Sequence, residues 1–567
     1  MARWKLTKDN GTHAWTPVRD EATFGRTAAT MDQRIISLGI FVMLSTTGFA
    51  QSGYNMLIGG GGYDEATAGI ARATDGSIYM AGSTASFGTG ADFLHRNAYV
   101  VKVDPTGLIA WTRAIGGAND EVAWGLAATS DGGCIITGYA QQNVTTDRDL
   151  FVVKLSATGS LEWNRNYGGS GYESGFGIAE DGAGGYVVAG TTTSYGWGSS
   201  DIYALRLDAD GDTLWTKVFG TPYSDETWDM IRTSDGNFVI SASMFIDSGS
   251  GAQSPALFKI DPDGQVVWDH LYLGESGVFA HISGVIELAN GEIQLAGQRS
   301  GTGNGDALLI RANATGGFVW AREYQLPSSP GEWFEDLVQT EDGDLIMAGW
   351  YSNDFGQGTL LVRVDSSASI VEAASHPAGS FTFDDARIEG VLDNLNGTFT
   401  LGGTMRWDDG ATTNDFHLFV TGPAESGLLP PCFGSLDDME FTSRTFGDQA
   451  LLNPPYAGGQ VSTPTWTVGT GGDVNILCDN IGLGTVADYV RAKVDLTSWP
   501  GAIQLQGAFQ AYRFFEIIDA AGRSVSYGSL PSSGLLNTTA LAAGSYTLCF
   551  SPRSVAEQEA LRFMVLD

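Results

Sequence analysis

Residues Ala110–Gly117 read AWTRAIGG, and residues Glu162–Gly169, which follow at an interval of 52 positions, read EWNRNYGG. Stepping one further interval beyond the last tryptophan of this series lands on Glu372, and stepping back 57 residues from the first lands on Tyr54; both lie in a similar pattern without the indole. The chain therefore carries seven copies of one segment. The tryptophans, separated by 52, 52, 53 and 52 residues, are Trp111, Trp163, Trp215, Trp268 and Trp320.

The seven copies share a second marker, a turn glycine that precedes an alternating apolar run, as in TDGSIYMAG and SDGGCIITG. Asp-Gly and Asn-Gly tolerate the positive φ that a tight turn requires, so each marker predicts a hairpin. A third marker is a strand of the type AYVVKVD, and a fourth strand follows an acidic turn, as in NDEVAWGLAAT. The turn glycines are Gly76, Gly132, Gly184, Gly236, Gly291, Gly343 and Gly397.

Four short strands in each repeat of about 53 residues predict an all-β fold, a seven-bladed β-propeller over residues 51–422. The repeats begin with a Trp-type strand at Tyr54 and end with the strand HLFVTG, so the last blade lacks one strand of its own. We expect the N-terminal strand to supply it, which closes the ring and removes an exposed edge.

The position of the tryptophans leaves two interpretations, a row of rings that stack on a ligand or a part of the scaffold. A glycine lies four residues before each indole, as in PTGLIAW and ATGSLEW. This arrangement resembles the tryptophan-docking motif of propellers in the pyrroloquinoline-quinone dehydrogenase superfamily, which implies that the indoles pack between neighbouring blades. The whole repeat also resembles repeats of secreted bacterial proteins of the type 9 secretion pathway.

Composition limits the classes of partner. The 567 residues include 77 glycines, and the formal net charge is −35. Such acidity argues against binding to nucleic acid phosphates or to an anionic membrane surface. Four cysteines are too few for a disulfide framework; Cys134 is expected to be a buried apolar side chain, and Cys432 and Cys478 could pair in an oxidising compartment.

The N-terminal region predicts export. Residues 31–50 contain a short basic start, the apolar run Ile35–Leu44 and a small-residue cleavage site before Gln51, which is the pattern of a signal peptide. Residues 1–30 do not fit that pattern, and we interpret them as an over-extended start. No other segment reads as a membrane span, so the mature chain is expected to be secreted or displayed at the outer cell surface, by way of the periplasm, without a transmembrane anchor.

The repeat pattern stops after Gly422. Residues 423–434 read as a linker, and residues 435–492 as a β-rich segment that we leave unassigned. Residues 493–567 resemble the C-terminal sorting domain of type 9 secretion cargo, through the strand and turn at Ile517–Val525 and the element LAAGSYTL at Leu541–Leu548. The resemblance implies a small C-terminal β-sandwich that the type 9 secretion machinery recognises; an ordinary accessory sandwich is the alternative.

Recognisable catalytic motifs are absent from the sequence: it has no GxSxG, HExxH or P-loop, and the six histidines are scattered. The carboxylate pairs Asp64-Glu65, Asp120-Glu121 and Asp225-Glu226 could serve acid–base chemistry. Because they recur with the repeat, we expect a role in a repeated turn instead.

No catalytic or cofactor-binding residue is predicted. Asp208, Asp210 and Asp212 are weak candidates for Ca²⁺, because they alternate as calcium ligands do but lack the glycine and glutamate spacing of an EF-hand loop. Enzymes that use pyrroloquinoline quinone carry an adjacent-cysteine disulfide, which the sequence does not have.

The leading hypothesis is a non-enzymatic binding or scaffold propeller at the cell surface, whose ligand is a glycan, an extracellular polymer or a protein. The alternative is a secreted polysaccharide hydrolase or lyase with a carboxylate site on the propeller face. A cluster of acids or histidines that is not repeated from blade to blade would distinguish the second hypothesis from the first.

Overall fold

The computed structural model describes residues 4–9, 12–17, 54–91, 95–141, 147–245, 253–274, 279–300, 305–326, 329, 331–353, 356–375, 386–406, 414–421, 434–435, 439–444 and 447–449, and from residue 460 onward only the ten strands given below. The described residues contain strands and turns, and none of their segments is a helix long and apolar enough to cross a membrane. The predicted signal peptide, residues 31–50, lies outside them.

The chain divides into two compact units, Met1–Phe49 and Ala50–Asp567. In the first unit, β1 (Trp4–Asp9) pairs with β2 (Thr12–Pro17) as an antiparallel hairpin. The second unit contains seven antiparallel sheets of four or more strands that follow the seven repeats, together with one further sheet.

Each repeat forms one blade, numbered here in chain order. Blade 1 consists of β4 (Asp64–Glu65), β5 (Ile70–Arg72), β6 (Ile78–Thr84), β7 (Asn97–Val103) and β8 (Ile109–Gly116). Blade 2 consists of β9 (Glu121–Ala128), β10 (Cys134–Gln141), β11 (Arg148–Leu155) and β12 (Leu161–Gly168). Blade 3 consists of β13 (Glu173–Glu180), β14 (Tyr186–Thr192), β15 (Asp201–Leu207) and β16 (Thr213–Phe219). Blade 4 consists of β17 (Asp225–Arg232), β18 (Phe238–Phe245), β19 (Gln253–Ile260) and β20 (Val266–Leu273).

The remaining three blades follow the same order. Blade 5 consists of β21 (Phe279–Glu287), β22 (Ile293–Ser300), β23 (Asp306–Ala312) and β24 (Phe318–Gln325). Blade 6 consists of β25 (Glu332–Gln339), β26 (Leu345–Asn353), β27 (Gly356–Val364) and β28 (Ile370–Ser375). Blade 7 consists of β29 (Ala386–Asp393), β30 (Phe399–Arg406), β31 (Asn414–Val420) and β3 (Tyr54–Gly59).

The ring closes as predicted. The N-terminal β3 pairs with β31 in an antiparallel register that runs from Asn55 opposite Phe419 to Ile58 opposite Phe416. The first and last parts of the propeller therefore share one blade, and a seven-bladed β-propeller is the fold of this unit.

The apolar core lies between blades. One cluster joins Tyr79 and Val100 of blade 1 to Ile136 and Phe151 of blade 2, and it also contains Cys134, which is fully buried as predicted. Burial raises the pKa of the Cys134 thiol to about 12, so this side chain behaves as a small apolar group.

The repeating tryptophans pack between blades, which confirms the scaffold interpretation for this series. Trp111 Nε1 donates to the Ala157 carbonyl at 3.0 Å, and Trp163 Nε1 donates to the Ala209 carbonyl at 2.9 Å. In both cases the acceptor belongs to the turn before the last strand of the next blade. The indole thus buries part of its area and satisfies its N–H at one inter-blade contact.

Six strands between residues 434 and 479, which together we call the encircling segment, each add an outer strand to one blade. The segment passes the blades in the order 6, 5, 4, 2, 1 and 7, which runs against the order of the chain. Its strands pair with β28, β24, β20, β12, β8 and β3 in turn. They are β32 (Gly434–Ser435), β33 (Glu440–Arg444), β34 (Gly447–Gln449), β35 (Gln460–Ser462), β36 (Thr467–Gly469) and β37 (Asp473–Asp479).

Two groups of strands follow. The first extends the sheet of blade 7 in the order β37, β38, β39 and β42; the second forms a separate antiparallel sheet in the order β41, β40, β43 and β44. Their bounds are β38 (Lys493–Asp495), β39 (Ala502–Gln506), β40 (Tyr512–Asp519), β41 (Ser524–Ser529), β42 (Leu535–Asn537), β43 (Gly544–Pro552) and β44 (Glu559–Val565). The C-terminal sandwich and the domain boundaries after Gly422 stay predictions, and residues 422–433 lie outside the described residues.

Candidate binding site at the propeller axis

The first strand of each blade lies nearest the axis, because the fourth strand is the one that pairs with the encircling segment on the outside. Neighbouring first strands come so close that small residues are required between them. At Gly177 of blade 3, for example, an added Cβ would lie 2.5 Å from the Met230 backbone nitrogen of blade 4. Equivalent side chains of different blades can therefore meet here, although they cannot at the rim.

One residue bulges out of the pairing in the first strand of each of blades 2 to 7, where the register shifts. In blade 1 the break between β4 and β5 occupies this place. A β-bulge re-aims a side chain and is common beside functional sites. These seven residues, which we call the bulge ring, are Thr67, Trp124, Phe176, Trp228, Ser283, Glu335 and Glu389.

A second set of seven residues lies two positions before the bulge ring in each strand. Each of these residues pairs with the second strand of its blade at the same register position. We call them the upper ring; they are Glu65, Val122, Ser174, Glu226, His281, Trp333 and Arg387.

Aromatic side chains of these rings contact one another from blade to blade. Trp124 stacks on Phe176 with ring centroids 4.8 Å apart, and Phe176 lies 5.7 Å from Trp228. His281 then stands edge-on between two indoles, 3.7 Å from Trp228 and 4.3 Å from Trp333. The result is a continuous aromatic arc across blades 2 to 6.

The arc contains polar groups that burial has left without partners. Both ring nitrogens of His281 and Nε1 of Trp228 are shielded from solvent and have no hydrogen-bond partner among the described residues. Burial lowers the pKa of His281 to about 3, so the imidazole is neutral at neutral pH. Buried polar groups in native proteins are nearly always satisfied, so these atoms mark a place where a polar ligand group would be stabilised.

The arc ends at two glutamates in blades 6 and 7. Glu335 Oε1 accepts a hydrogen bond from Trp350 Nε1 at 2.9 Å, and Trp350 stacks on Trp333 at 5.7 Å. Burial raises the pKa of Glu335, while the hydrogen bond from Trp350 acts in the opposite direction. The pKa of Glu389 is raised well above its ordinary value, first by burial and then by the charge of Glu335.

The hydrogen bond from Trp350 thus favours the ionised form of Glu335, whereas the charge of Glu335 favours the protonated form of Glu389; the charge of Arg387 lowers the pKa of both groups. Glutamate occupies the bulge-ring position in blades 6 and 7 alone, because the other five positions carry threonine, tryptophan, phenylalanine or serine. The two glutamates lie in the two blades whose fourth strand carries Glu372 or Tyr54 in place of the repeated tryptophan.

Two aspartates one residue beyond the bulge ring have a structural role instead. Asp229 Oδ2 accepts the Val285 N–H of the next blade at 3.1 Å, and Asp336 Oδ2 accepts the Val391 N–H at 2.9 Å. Burial raises the pKa of Asp229 to about 7 and that of Asp336 to about 6. These carboxyls hold first strands together and are not part of the aromatic arc.

The predicted carboxylate pairs have the repeated turn role, with one difference in register. Asp64, Glu121 and Asp225 occupy equivalent positions in their blades. The second strand of each blade contains a small residue, glycine or alanine, and each of the three acids pairs with the residue two positions after it. Asp64 accepts the Gly60 N–H at 2.7 Å, and Glu121 accepts the Gly117 N–H at 3.0 Å. The pair in blade 2 is thus offset by one residue from the other two.

Because of this offset, the second carboxylate of the pair lies at a different position in blade 2 than in blades 1 and 4. In blade 2 it is Asp120, which binds Arg96 Nε at 3.1 Å and accepts the Tyr139 hydroxyl at 2.6 Å. In blades 1 and 4 it is Glu65 and Glu226, both members of the upper ring. The spacing of the carboxylates shows the offset, because Glu121 and Asp225 are 104 residues apart, which is two repeats of 52, whereas Asp120 and Asp225 are 105 residues apart.

Asp208, Asp210 and Asp212, the weak calcium candidates, lie on the turn between β15 and β16, away from the axial site. Asp208 Oδ1 accepts the N–H groups of Asp210 at 3.0 Å and of Asp212 at 2.9 Å. Asp104 of blade 1 makes the same turn without the two extra acids. The presence of Asp208 is therefore explained by its role in the turn. Within the described part of the chain, no group of three or more His, Cys, Asp or Glu side chains could hold a metal ion.

Sequence reasoning missed the axial site because it followed the outer tryptophans. The signal for it was a second aromatic series in the first strands, seen in VAWG, GFGI and TWDM, whose spacing is as regular as the first. Trp124, Phe176 and Trp228 are each separated by 52 residues.

Comparison with known proteins identifies no family for this chain. No protein-family model matches the chain, and no curated protein matches it. Solved structures resemble it at low identity: a protein of unknown function from Dyadobacter fermentans has 11% identity and a TM-score of 0.37 over 65% of this chain and 97% of that chain. The polysaccharide lyase Uly1 has 11% identity and a TM-score of 0.40 over 64% of this chain and 90% of that chain.

A third structure, PorZ, is described as a surface component of the type-IX secretion system of Porphyromonas gingivalis. It has 12% identity and a TM-score of 0.29 over 87% of this chain and 73% of that chain. At such identities and scores these likenesses indicate neither a shared ligand nor a shared reaction.

Proposed function

We propose that this protein is an exported, extracellular carbohydrate-binding propeller, and that the aromatic arc at the axis is its binding site. The arc is the observation that carries the proposal. Flat aromatic faces suit the apolar faces of sugar rings, and a few polar groups among them fix orientation. Trp228 Nε1 and the His281 nitrogens have no hydrogen-bond partner among the described residues, and sugar hydroxyls, which both donate and accept, are groups that can pair with them.

Direct binding measurements test this proposal. The purified chain is screened against a panel of polysaccharides and oligosaccharides, and the best ligand is titrated by calorimetry into the wild type and into Trp124→Ala and Trp228→Ala. We expect each variant to weaken binding at least tenfold, since truncation of a tryptophan at the centre of a binding site costs on the order of 2 kcal/mol or more. Trp163→Phe, at the rim, is the matched control and should bind as the wild type does.

Two outcomes oppose the proposal: no glycan binds, or the axial variants bind as well as the control. Thermal unfolding of each variant is recorded in parallel, so that loss of fold is separated from loss of the site.

Catalysis on the bound glycan is a second candidate function, and the two axial glutamates Glu335 and Glu389, which have no counterpart at this position in blades 1 to 5, favour it. In hydrolysis, protonated Glu389 would give its proton to the glycosidic oxygen as the C–O bond breaks. Glu335 would take a proton from the water that attacks the anomeric carbon. A lyase that acts on uronic acids suits the site less well, because carboxylates of the rings would repel the uronate.

Release of reducing ends from the ligand of the binding screen tests for hydrolysis. Glu389→Gln should abolish turnover and leave binding within a few-fold of the wild type, whereas a wild type without turnover would leave a binding protein only.

Type 9 secretion is the proposed export route, and the sequence of residues 31–50 and 493–567 supports it. The strand and turn at Ile517–Val525 correspond to β40 and β41, which pair with each other. Removal of residues 493–567 should hold the protein in the periplasm, and the full chain should reach the outer surface or the medium. Unchanged release of the truncated chain would refute this route.

A further inference from the structure

An exposed tyrosine lies at the mouth of the axial site. Tyr172 immediately precedes β13 and lies two positions before Ser174 of the upper ring, so alternation along the extended chain places both side chains on the same face. The Tyr172 side chain is 42% exposed, whereas the aromatic side chains of the arc are half-buried. The arc therefore has an aromatic neighbour at the surface of the protein.

The backbone holds Tyr172 in place. Its N–H donates to Thr193 Oγ1 at 2.6 Å, and its carbonyl accepts the Thr193 N–H at 2.8 Å. On the other side, Tyr172 forms a parallel bridge with Arg148 of blade 2. A ring whose backbone is fixed in this way loses little conformational freedom when a ligand stacks on it.

Arg148 is a cation without an acidic partner among the described residues. Its guanidinium lies 4.3 Å from the centre of the Tyr139 ring and 5.9 Å from the centre of the Tyr172 ring. No hydrogen bond or ion pair joins this guanidinium to another residue in the described ranges. The chain has 65 acidic residues and 30 basic ones, so most cations could find a partner. The N–H groups of Arg148 are instead available to a ligand with acceptor oxygens.

These groups connect the mouth to the aromatic arc. Tyr139, whose ring Arg148 covers, stands edge-on to Trp124 with ring centroids 5.1 Å apart. From Trp124 to Tyr172 there are thus three contacts, none longer than 5.9 Å between group centres. One oligosaccharide of a few sugars can therefore contact both the arc and Tyr172.

We infer that Tyr172 and Arg148 form a second sugar-binding position, which we call the mouth position, and that the protein thereby selects linear, neutral oligosaccharides long enough to reach both positions. The inference rests on the proposed function, since it extends the same site. A sugar ring packs on the exposed face of Tyr172, and two adjacent hydroxyls of that sugar accept hydrogen bonds from the planar fork of Arg148. The net charge of −35 disfavours a polyanionic chain.

The mouth position should contribute only to the binding of longer ligands. A short sugar occupies the aromatic arc alone. A longer chain reaches the mouth position as well, and this second contact forms without a second loss of translational freedom. Substitutions at the mouth position should therefore weaken binding of long oligomers and leave binding of short ones unchanged.

The test titrates oligosaccharides of increasing length into the full-length protein by calorimetry. The probes are oligomers, from the monosaccharide to the octasaccharide, of β-1,4-linked glucose, β-1,4-linked xylose, β-1,4-linked mannose and N-acetylglucosamine. We expect Tyr172→Ala to weaken binding of the longest oligomers about tenfold, and Arg148→Gln about fivefold. Both should bind the shortest oligomer that has measurable affinity as the wild type does, whereas Trp124→Ala should weaken binding at every length.

Two further variants are controls. Tyr172→Phe keeps the aromatic face and should bind every oligomer as the wild type does. Arg165→Gln removes a guanidinium at the rim of blade 2, which lies 3.8 Å from Asp212, and should also leave binding unchanged at every length. The melting temperature of each variant is recorded in parallel, so that loss of fold is separated from loss of the mouth position.

Each outcome decides a separate point. Equal effects of Tyr172→Ala and Arg148→Gln on short and long oligomers, or no effect on either, overturn the inference and leave the axial site intact. A loss in Arg165→Gln that equals the loss in Arg148→Gln also overturns it. Absence of binding by all four series overturns the inference and, together with a failed polysaccharide screen, overturns the proposed function itself.

Discussion

Arg444 of the encircling segment binds Glu323 of blade 5 through both Nε and Nη2, each 2.7 Å from Glu323 Oε2. The other carboxylate oxygen, Oε1, accepts Arg299 Nη1 at 2.7 Å. Only 2% of the Glu323 side chain is exposed, so this carboxylate joins the outer strand of a blade to the segment that covers it. The pairing of β33 with β24 is thus reinforced by a buried, charge-assisted contact.

Arg444→Ala should lower the free energy of unfolding by about 1–2 kcal/mol. The loss stays below that of a fully buried pair, because Glu323 keeps Arg299 and the Arg444 side chain is partly exposed. Urea denaturation measures the effect. Arg165→Ala, which removes a long surface pair with Asp212, is the control and should change stability by no more than about 0.5 kcal/mol; equal effects of the two variants would contradict the role of Arg444.

Truncation tests whether the encircling segment is part of the propeller. A chain that ends at residue 433 should aggregate, because the outer strands of six blades would expose unpaired backbone groups. A chain that ends at residue 479 keeps all six pairings and should stay monomeric. Size-exclusion chromatography with light scattering compares the two. A soluble, monomeric protein after truncation at residue 433 would show that the blades do not need the segment.

Glu121 should make stability depend on pH. Burial raises its pKa from 4.5 to about 8, so between these values the folded chain holds a proton that the unfolded chain has lost. The contribution of Glu121 to the free energy of unfolding is therefore fully present below pH 4.5 and is lost as pH rises through 8. Each pKa unit corresponds to about 1.4 kcal/mol.

Glu121→Gln keeps an acceptor for the Gly117 N–H but cannot ionise. The difference in melting temperature between the variant and the wild type should shift in favour of the variant when pH is raised from 5 to 9. Glu341→Gln should show no such shift. A constant difference across this range would mean that Glu121 ionises normally in the folded protein.

The two tryptophan series should respond differently to substitution. Trp163→Phe removes the bond to the Ala209 carbonyl and part of an inter-blade contact, so we expect a loss of about 1–2 kcal/mol in stability and no change in glycan affinity. Trp228→Ala at the axis should instead abolish most of the binding. Paired measurements of unfolding and ligand affinity separate the effects; loss of binding in Trp163→Phe without loss of fold would place the ligand at the rim.

Much of the fold could be predicted from local pattern. A turn glycine such as Gly132, which has φ of 83°, marks a hairpin because few other residues adopt that conformation. Repetition of this signal fixed the number of blades, and the unmatched strand at Tyr54 predicted ring closure. The inter-blade position of Trp163 was implied by the resemblance of the Gly-x-x-x-Trp segment to the tryptophan-docking motif.

The axial site could not be predicted in the same way. Glu335 and Glu389 are 54 residues apart and belong to different blades. Whether two such residues meet depends on how closely the first strands approach the axis. The bulge that points them inward appears only when the strands are paired.

The sequence by itself therefore determined the repeat, its four strands, its turns and the closure of a seven-bladed ring, because these depend on local conformational preference and on alternation of apolar residues. Only the tertiary structure decided which side chains converge at the axis and where residues 434–479 lie. The convergence of side chains depends on the geometry of the closed ring. The position of the encircling segment depends on backbone hydrogen bonds to the outer strands of the blades. Any extended sequence can form such bonds, so they leave little trace in residue type.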